Sequence, residues 1–198
     1  SIAFGIEIQF DKIYVEGISH LAQEDFTHVL NLGYRIKLLA IAKHRKDGIE
    51  LRVHPALVKQ NELIANVESS MNAVLVRGDA VGETLYYGPG AGSEPTASAV
   101  VADLVDVSRM LNTDPENRVP HLAFQADALA SYPILPIEEV RTSYYLRLLV
   151  DDRAGVLADI TRVLAEGNIS IDSMIQEQES DGKASIIFLT HTSKEGDV

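Results

Sequence analysis

The sequence contains no cysteine among its 198 residues. Disulfide bonds, thiolate metal sites and cysteine nucleophiles are therefore excluded together. A chain that uses no disulfide suits a reducing compartment, and we expect a cytoplasmic location.

Basic residues are scarce and long apolar runs are missing. The chain has 17 Lys and Arg against 29 Asp and Glu, a net charge of −12. Because such a surface repels nucleic acid and anionic lipid, we expect neither as a partner. No apolar run reaches the roughly 18 residues of a membrane span, and residues 1–17 lack the pattern of a signal peptide. The chain opens at Ser1 in apolar sequence, so we expect a segment of a longer protein.

Metal-binding and catalytic motifs are absent as well. The six histidines form no i, i+4 pair and no H-E-x-x-H motif, so we interpret them as surface or hydrogen-bonded residues: His20, His28, His44, His54, His121 and His191. Asp103 and Asp106 share a predicted helix face, which we interpret as solvated, with Arg109 pairing with Asp106. There is no G-x-S-x-G, G-x-G-x-x-G or P-loop motif. The sequence predicts no metal site and no catalytic residue in this chain.

Hydrophobic residues make up 46% of the chain, which is enough for a sizeable core. Their spacing predicts a helix over residues 22–33 with Phe26, Val29 and Leu30 on one side and a stop at Gly33. Two hairpins should follow, with turns at residues 46–48 and 78–82, and a helix from about Thr96 to Leu111. That helix carries an apolar stripe at Val100, Leu104, Val107 and Leu111. The first ten residues are predicted as helix or buried strand.

The last part of the chain has a β-α-β-β pattern. "SYYLRLLVD" predicts a strand, "AGVLADITRVLAEGN" an amphipathic helix, and "ISIDSMIQEQE" and "KASIIFLTH" two strands joined by an Asp-Gly turn. A split βαβ domain would continue with another helix and strand, so we expect an exposed apolar sheet face and an open edge here. Residues 112–141 are proline-rich and are predicted to be an ordered connector.

Two loops are candidate ligand sites. "GPGAG" at 88–92 runs from a predicted strand into a helix, whose free N–H groups and dipole can hold a phosphate. The alternative is a tight corner with no ligand. The second loop contains Asp152 and Gly155, where a strand meets a helix, and Asn168 follows that helix. Its N–H groups can receive a carboxylate, or the loop can be an ordinary turn with a helix C-cap.

Longer stretches of the chain resemble the homoserine dehydrogenases. "NAVLVRGDAVGETLYYGPGAGSEPTASAVVADLVDV" resembles the end of their catalytic domain, and "SIAFG", "EGI" and "LGYRIKLLAIA" match upstream. "LLVDDRAGVLADITRVLAEGNISIDSMIQ" is similar to an ACT domain, the amino-acid-sensing module that many bacterial members carry. The resemblance covers nearly the whole chain in the right order.

This resemblance implies an α+β fold. Residues 1–111 would be part of the catalytic and dimerisation domain, with a mixed sheet and helices on one face. Residues 112–141 would be the connector. Residues 142–198 would be a ferredoxin-like βαββ ACT domain, incomplete at its C-terminus.

The resemblance also implies a reaction, the NAD- or NADP-dependent interconversion of aspartate semialdehyde and homoserine. In the family a loop like GPGAG lies across from the dinucleotide-binding domain, so Gly92, with Gly90 and Ala91, is expected to contact the cofactor. The family's acidic residues and catalytic lysine lie before "SIAFG", so this chain alone is expected to be inactive, and neither Lys12 nor Lys37 takes that role. Threonine is the expected effector, bound by Asp152, Gly155 and Asn168, in a homodimer or larger homo-oligomer. The alternatives are a stand-alone amino-acid-binding ACT regulatory protein and a structural dimerisation module.

Overall fold

The computed structural model describes residues 2–114, 120, 123–179 and 181–197. Within these ranges the chain forms ten strands and three α-helices, with short 3-10 turns between them. In chain order they are β1 (Tyr14–Val15), α1 (Gln23–Asn31), β2 (Tyr34–Arg45), β3 (Gly48–Lys59), β4 (Met71–Gly78), β5 (Gly82–Pro89), α2 (Ser93–Leu111), β6 (Arg141–Thr142), β7 (Tyr145–Asp151), α3 (Val156–Glu166), β8 (Ile171–Gln178), β9 (Lys183–Thr190) and β10 (Ser193–Lys194). No helix in the described ranges is long and apolar enough to cross a bilayer.

One compact unit contains residues 2–8, 29–37 and the described part of 58–131. Its main features are the antiparallel hairpin β4–β5 and the helix α2 that follows it. The hairpin register runs from Met71 opposite Pro89 to Gly78 opposite Gly82. Gly82 has φ 79°, a value that suits the tight turn and that glycine adopts without strain.

The second compact unit contains residues 9–28, 38–57 and the described part of 132–198. Its three-stranded antiparallel sheet has the order β7–β9–β8, with α3 connecting β7 to β8. Asp181 and Gly182 both have positive φ, 59° and 71°, as the Asp-Gly turn before β9 requires. Central strand β9 is buried from Ala184 to Thr190, and Phe188 is completely inaccessible.

The predicted fold class is confirmed, as are both hairpins and the β-α-β-β order of the last segment. The prediction for the first ten residues is wrong. Residues 2–10 form a turn, an isolated bridge from Ile6 to Ala130 and the beginning of a short 3-10 turn at Phe10–Lys12. Only Ile6 among them is a buried hydrophobic residue in the described core. Their apolar side chains have no regular period, so no single face exists that a helix or strand could bury.

The position of helix α1 is confirmed, and the start of helix α2 needs correction. Helix α1 lies where expected and is followed by Gly33 at φ 82°, but Phe26 and Leu30 are 47% and 52% exposed. The buried residues of α1 are instead Asp25, His28 and Val29. Helix α2 begins at Ser93, three residues before the predicted start, because Gly92 rather than a side chain occupies the N-cap.

The expected exposed apolar face of the last sheet is also wrong for its central strand. Side chains alternate along a strand, so a seven-residue run buried throughout β9 means that both faces are covered. The outer strands do expose apolar side chains, Leu149 at 63% on β7 and Met174 at 41% on β8. On α2 the whole predicted stripe is accessible: Val100 53%, Leu104 62%, Val107 49% and Leu111 73%.

Candidate functional site

The glycine loop connects β5 to α2 and is held at its base. The N–H of Gly90 donates to the carbonyl of Ser70 at 3.2 Å, which ties the loop to the residue just before β4. A Cβ on Gly90 would stand 1.7 Å from Nδ2 of Asn72, so the Asn72 side chain occupies the space that any other residue would need. Gly90 is therefore required for close approach within the loop itself.

Gly92 has a different requirement. Its φ of 131° and ψ of 154° lie in a region that is essentially restricted to glycine. This backbone turns the chain into α2, and the N–H of Thr96 closes the first helical bond on the Gly92 carbonyl at 3.1 Å. No side chain caps the helix, so the N–H groups of Ser93 and Glu94 point out of the helix end without a capping partner.

The loop matches only part of what an anion site requires. Residues 90–94 are exposed, and an uncapped helix N-terminus favours negative charge. Pro89 and Pro95 have no N–H to offer, and Glu94 adds an unfavourable negative charge in the first turn. An anion at this helix start would be contacted from one side only, by the N–H groups of residues 91–94.

The second predicted loop follows β7. Gly155 forms the N-cap of α3 with φ 95° and ψ −23°, and again no side chain caps the helix. A Cβ added there would meet nothing within 4 Å, so the N-terminus of α3 is open to a ligand. The N–H of Asp152 donates to the Gly182 carbonyl at 2.8 Å, which fixes the start of the loop against the β8–β9 turn.

Asn168 lies at the other end of α3. It adopts a left-handed conformation, with φ 55°, and its N–H donates to Ala165 at 3.0 Å. The 11 residues of α3 separate it from Gly155, a distance of about 16 Å along the helix at 1.5 Å per residue. A ligand the size of an amino acid therefore cannot contact both residues within one copy of the chain.

A third set of polar residues was not predicted from the sequence. Asp25, in the first turn of α1, is only 5% exposed. Its Oδ1 accepts hydrogen bonds from Tyr145 Oη at 2.9 Å and Arg147 Nε at 2.5 Å. Its Oδ2 accepts from the backbone N–H of Ala22 at 2.8 Å and from Arg147 Nη2 at 3.5 Å. We call these three side chains, Asp25, Tyr145 and Arg147, the Asp25 joint.

The electrostatics of the Asp25 joint follow from burial and hydrogen bonding. Burial disfavours the ionised form of Asp25, but the bonds from Arg147, Ala22 and Tyr145 outweigh burial, and the pKa of Asp25 lies below its ordinary value. Burial and the bond to the carboxylate raise the pKa of the Tyr145 phenol. The hydrogen bond to Asp25 raises the pKa of Arg147. Asp25 and Arg147 are therefore a charged pair at neutral pH, with a neutral Tyr145.

The remaining polar candidates have structural partners. Lys12 donates to Gln9 at 2.8 Å, and Lys37 donates to the Val67 carbonyl at 2.6 Å. Arg109 lies 3.5 Å from Asp106, as predicted. Among the described residues no group of three or more His, Asp or Glu is placed to hold a metal ion. His121 lies outside the described residues.

Comparison with known proteins finds two matched parts of the chain, in the same order as the two families that the sequence resembles. The model of the homoserine dehydrogenase family matches residues 1–105, and the ACT domain model matches residues 144–198. A stand-alone regulatory protein would leave the match over residues 1–105 without a role, so this alternative is not favoured.

Relatives and solved structures agree with these matches. The chain is 58% identical to a homoserine dehydrogenase of Pseudomonas aeruginosa, covering 96% of this chain and 44% of that protein. It is 49% identical to a homoserine dehydrogenase of Neisseria gonorrhoeae, covering 98% and 45%. A crystal structure of a homoserine dehydrogenase from Thiobacillus denitrificans superposes with a TM-score of 0.91 at 63% identity, covering 99% and 44%. The chain thus spans less than half the length of the relatives that it matches.

Proposed function

Because this chain belongs to the homoserine dehydrogenase family, we propose that the protein carrying it interconverts L-aspartate semialdehyde and L-homoserine with NAD or NADP. The chain would supply one wall of the active site and the regulatory ACT domain. Homoserine leads to threonine, methionine and isoleucine, so the enzyme would serve amino-acid biosynthesis.

The cofactor contact is proposed for Gly92, with Gly90 and Ala91. The reduced nicotinamide supplies the hydride when it is bound. The loop would orient the cofactor by offering backbone N–H groups at an exposed, uncapped helix start. The glycine-only backbone at Gly92 supports this role, because it turns the chain sharply while leaving no side chain between the loop and a ligand. No proton-transfer residue is assigned to this chain.

The test of this function is NADPH-dependent reduction of aspartate semialdehyde by the complete protein. We expect turnover by the complete protein and none by residues 1–198 alone. A complete protein that folds, binds NADPH and still fails to reduce the semialdehyde would refute the assignment. Turnover by residues 1–198 alone would show that the active site is placed wrongly.

Threonine is proposed as the effector of the ACT domain. Asp152 and Gly155 would receive its carboxylate through backbone N–H groups, and Asn168 would bind its polar groups. Since α3 holds Gly155 and Asn168 at opposite ends, the site would combine the first loop of one copy with Asn168 of a second. The effector site would therefore exist only in a homo-oligomer.

Replacing Asn168 with glycine tests the effector site without straining the backbone. Glycine accepts the observed φ of 55°, so Asn168→Gly removes the amide and keeps the fold. Loss of one hydrogen bond should weaken threonine inhibition about tenfold and leave the uninhibited rate unchanged. Inhibition equal to that of the wild type would remove Asn168 from the site.

The exposed stripe of α2 is proposed as part of the homodimer interface. A contiguous apolar face of this kind marks a surface that is covered in the assembled protein. Leu104 lies near its centre and is 62% exposed. Leu104→Glu should convert the complete protein to monomers in light scattering, whereas Asp103→Asn, on the predicted solvated face, should not. A Leu104→Glu protein that keeps its oligomeric state would remove the stripe from the proposed interface.

The cytoplasmic location, the choice between NAD and NADP and the domain limits 1–111, 112–141 and 142–198 stay predictions.

A further inference from the structure

The Asp25 joint links residues that belong to different family matches. Asp25 lies within residues 1–105, and Tyr145 and Arg147 lie within residues 144–198. All three belong to the same compact unit, although 120 and 122 positions separate the bonded residues along the chain. The contact is therefore a direct connection between the dehydrogenase part and the ACT part.

The Asp25 carboxylate makes this connection, and it also caps helix α1. Asp25 is the third residue of α1, and it accepts the N–H of Ala22, the residue before the helix. A carboxylate in this position satisfies an orphan donor at the helix start. The same carboxylate holds Tyr145 and Arg147 on β7. A displacement of β7 relative to α1 must therefore disturb the cap of α1.

A second contact follows the same sheet face. Residues Tyr145, Arg147 and Glu177 lie on one face of the ACT sheet, because Arg147 is opposite Ile187 and Glu177 is opposite Ser185, two residues apart on β9. His28, one turn after Asp25 on α1, places Nδ1 3.4 Å from Glu177 Oε2. Helix α1 thus contacts both outer strands, β7 and β8, of the sheet.

Strand β7 connects the joint to the loop proposed to bind the effector. Arg147 lies four residues before the end of β7 at Asp151, about 13 Å at 3.3 Å per residue, and Asp152 follows as the first residue of the loop. The strand is in continuous register with β9 from Tyr145–Leu189 to Asp151–Lys183. A hydrogen-bonded strand of this length moves as one piece, so a shift at the loop reaches Tyr145 and Arg147.

We propose that the Asp25 joint transmits effector binding from the ACT part to α1 and hence to the dehydrogenase part. The proposal rests on the function proposed above for its effector and its reaction. Asp25, Tyr145 and Arg147 act as positioning residues, since none of them belongs to the proposed cofactor or effector contacts.

The first test uses the complete enzyme and a matched pair of tyrosine variants. Tyr145→Phe removes the bond to Asp25. Tyr144→Phe removes an equivalent bond, from Tyr144 Oη to Glu195 at 2.6 Å, but this bond stays within the ACT part. Threonine affinity is measured by calorimetry, and residual activity is measured at saturating threonine.

Both variants should bind threonine with wild-type affinity and keep the uninhibited rate. In Tyr145→Phe the fold-inhibition at saturating threonine should fall by about fivefold or more, the size of a typical coupling between sites. Tyr144→Phe should be inhibited like the wild type. Full inhibition of Tyr145→Phe, or an equal loss in both variants, would overturn the proposal.

A second test needs neither effector nor turnover. Hydrogen exchange of the α1 amides is compared in the complete wild-type protein and the same two variants. Faster exchange at the start of α1 in Tyr145→Phe but not in Tyr144→Phe supports the mechanical link, and equal exchange in all three overturns it.

The two tests separate the proposals. A wild-type protein that reduces no semialdehyde refutes the proposed reaction. Hydrogen exchange of the α1 amides in the two variants still tests the link between β7 and α1. A wild-type enzyme that is active but is not inhibited by threonine refutes the proposal that the joint transmits threonine binding. This holds even if α1 exchanges faster in Tyr145→Phe than in Tyr144→Phe.

Discussion

Replacing Gly92 with alanine tests the conformation on which the proposed cofactor contact depends. Gly92 has φ 131° and ψ 154°, where a non-glycine residue costs about 1–3 kcal/mol. An added Cβ would also stand 3.2 Å from Cδ of Pro95, closer than an ordinary contact. The smaller entropy of the unfolded alanine chain returns about 0.4–1 kcal/mol. Gly92→Ala should therefore lower the free energy of unfolding by about 1–2 kcal/mol.

The neighbouring glycines provide controls with different physical causes. Gly88 has no atom within 4 Å of an added Cβ and no positive φ, so Gly88→Ala should change stability by less than about 0.5 kcal/mol. Gly90→Ala collides with Asn72. Asn72→Ala should therefore restore much of the stability lost in Gly90→Ala, whereas it should restore none of the loss in Gly92→Ala.

Urea unfolding followed by far-UV circular dichroism measures these differences, and the seven tyrosines give a second signal in a chain without tryptophan. In the complete enzyme Gly92→Ala should also raise KM for NADPH, while Gly88→Ala should leave it unchanged. A Gly92→Ala protein with wild-type stability would refute the backbone argument. Wild-type KM for NADPH in a destabilised Gly92→Ala protein would refute the cofactor contact while leaving the backbone argument intact.

Two further predictions concern the second compact unit. The pKa of Asp25 is lowered in the folded state, so its stabilising contribution is present above the ordinary carboxyl pKa of 3.8 and disappears as pH falls through the folded pKa. The difference in free energy of unfolding between wild type and Asp25→Asn should therefore shrink in acid. A difference that does not change with pH would contradict the ionised pair. Phe188 is 0% exposed, so Phe188→Ala should cost about 3–5 kcal/mol. On the same sheet Leu149 is 63% exposed, so Leu149→Ala should cost less than about 1 kcal/mol, and equal losses in urea unfolding would contradict the assignment of the core.

The ACT part could be predicted from the sequence because each local signal agrees with the final structure. The Asp181-Gly182 turn fixes the hairpin, and the alternation in β8 and the periodicity of α3 identify their elements before any tertiary contact is known. The start of α2 was misplaced because the usual signal is a capping side chain. Gly92 provides a cap that is recognised only from its backbone angles.

The inward face of α1 could not be predicted, because its partners are distant in sequence. Apolar spacing pointed to Phe26 and Leu30, yet both are exposed while Asp25 is buried. A buried carboxylate is stable only when it is paired, and its partner Arg147 lies 122 positions away. One local signal was available, since an acidic residue in the first turn of a helix is typical of a cap. It indicates the bond to Ala22 but gives no indication of Arg147.

The starts of the three α-helices in the described residues differ in whether a side chain caps them. The difference separates the helix that packs on a sheet from the two that are proposed to bind ligands. The N–H of Ala22, just before helix α1, is satisfied by Asp25, and that carboxylate is buried against strand β7. Helices α2 and α3 begin at Gly92 and Gly155, with positive φ and no side-chain cap. A side-chain cap would occupy the N–H groups that an anion needs. Helices α2 and α3, whose starts have no side-chain cap, are the two proposed to contact the cofactor and the effector. Helix α1, whose start is capped by Asp25, is bound to the β7–β9–β8 sheet and would respond to a movement of that sheet.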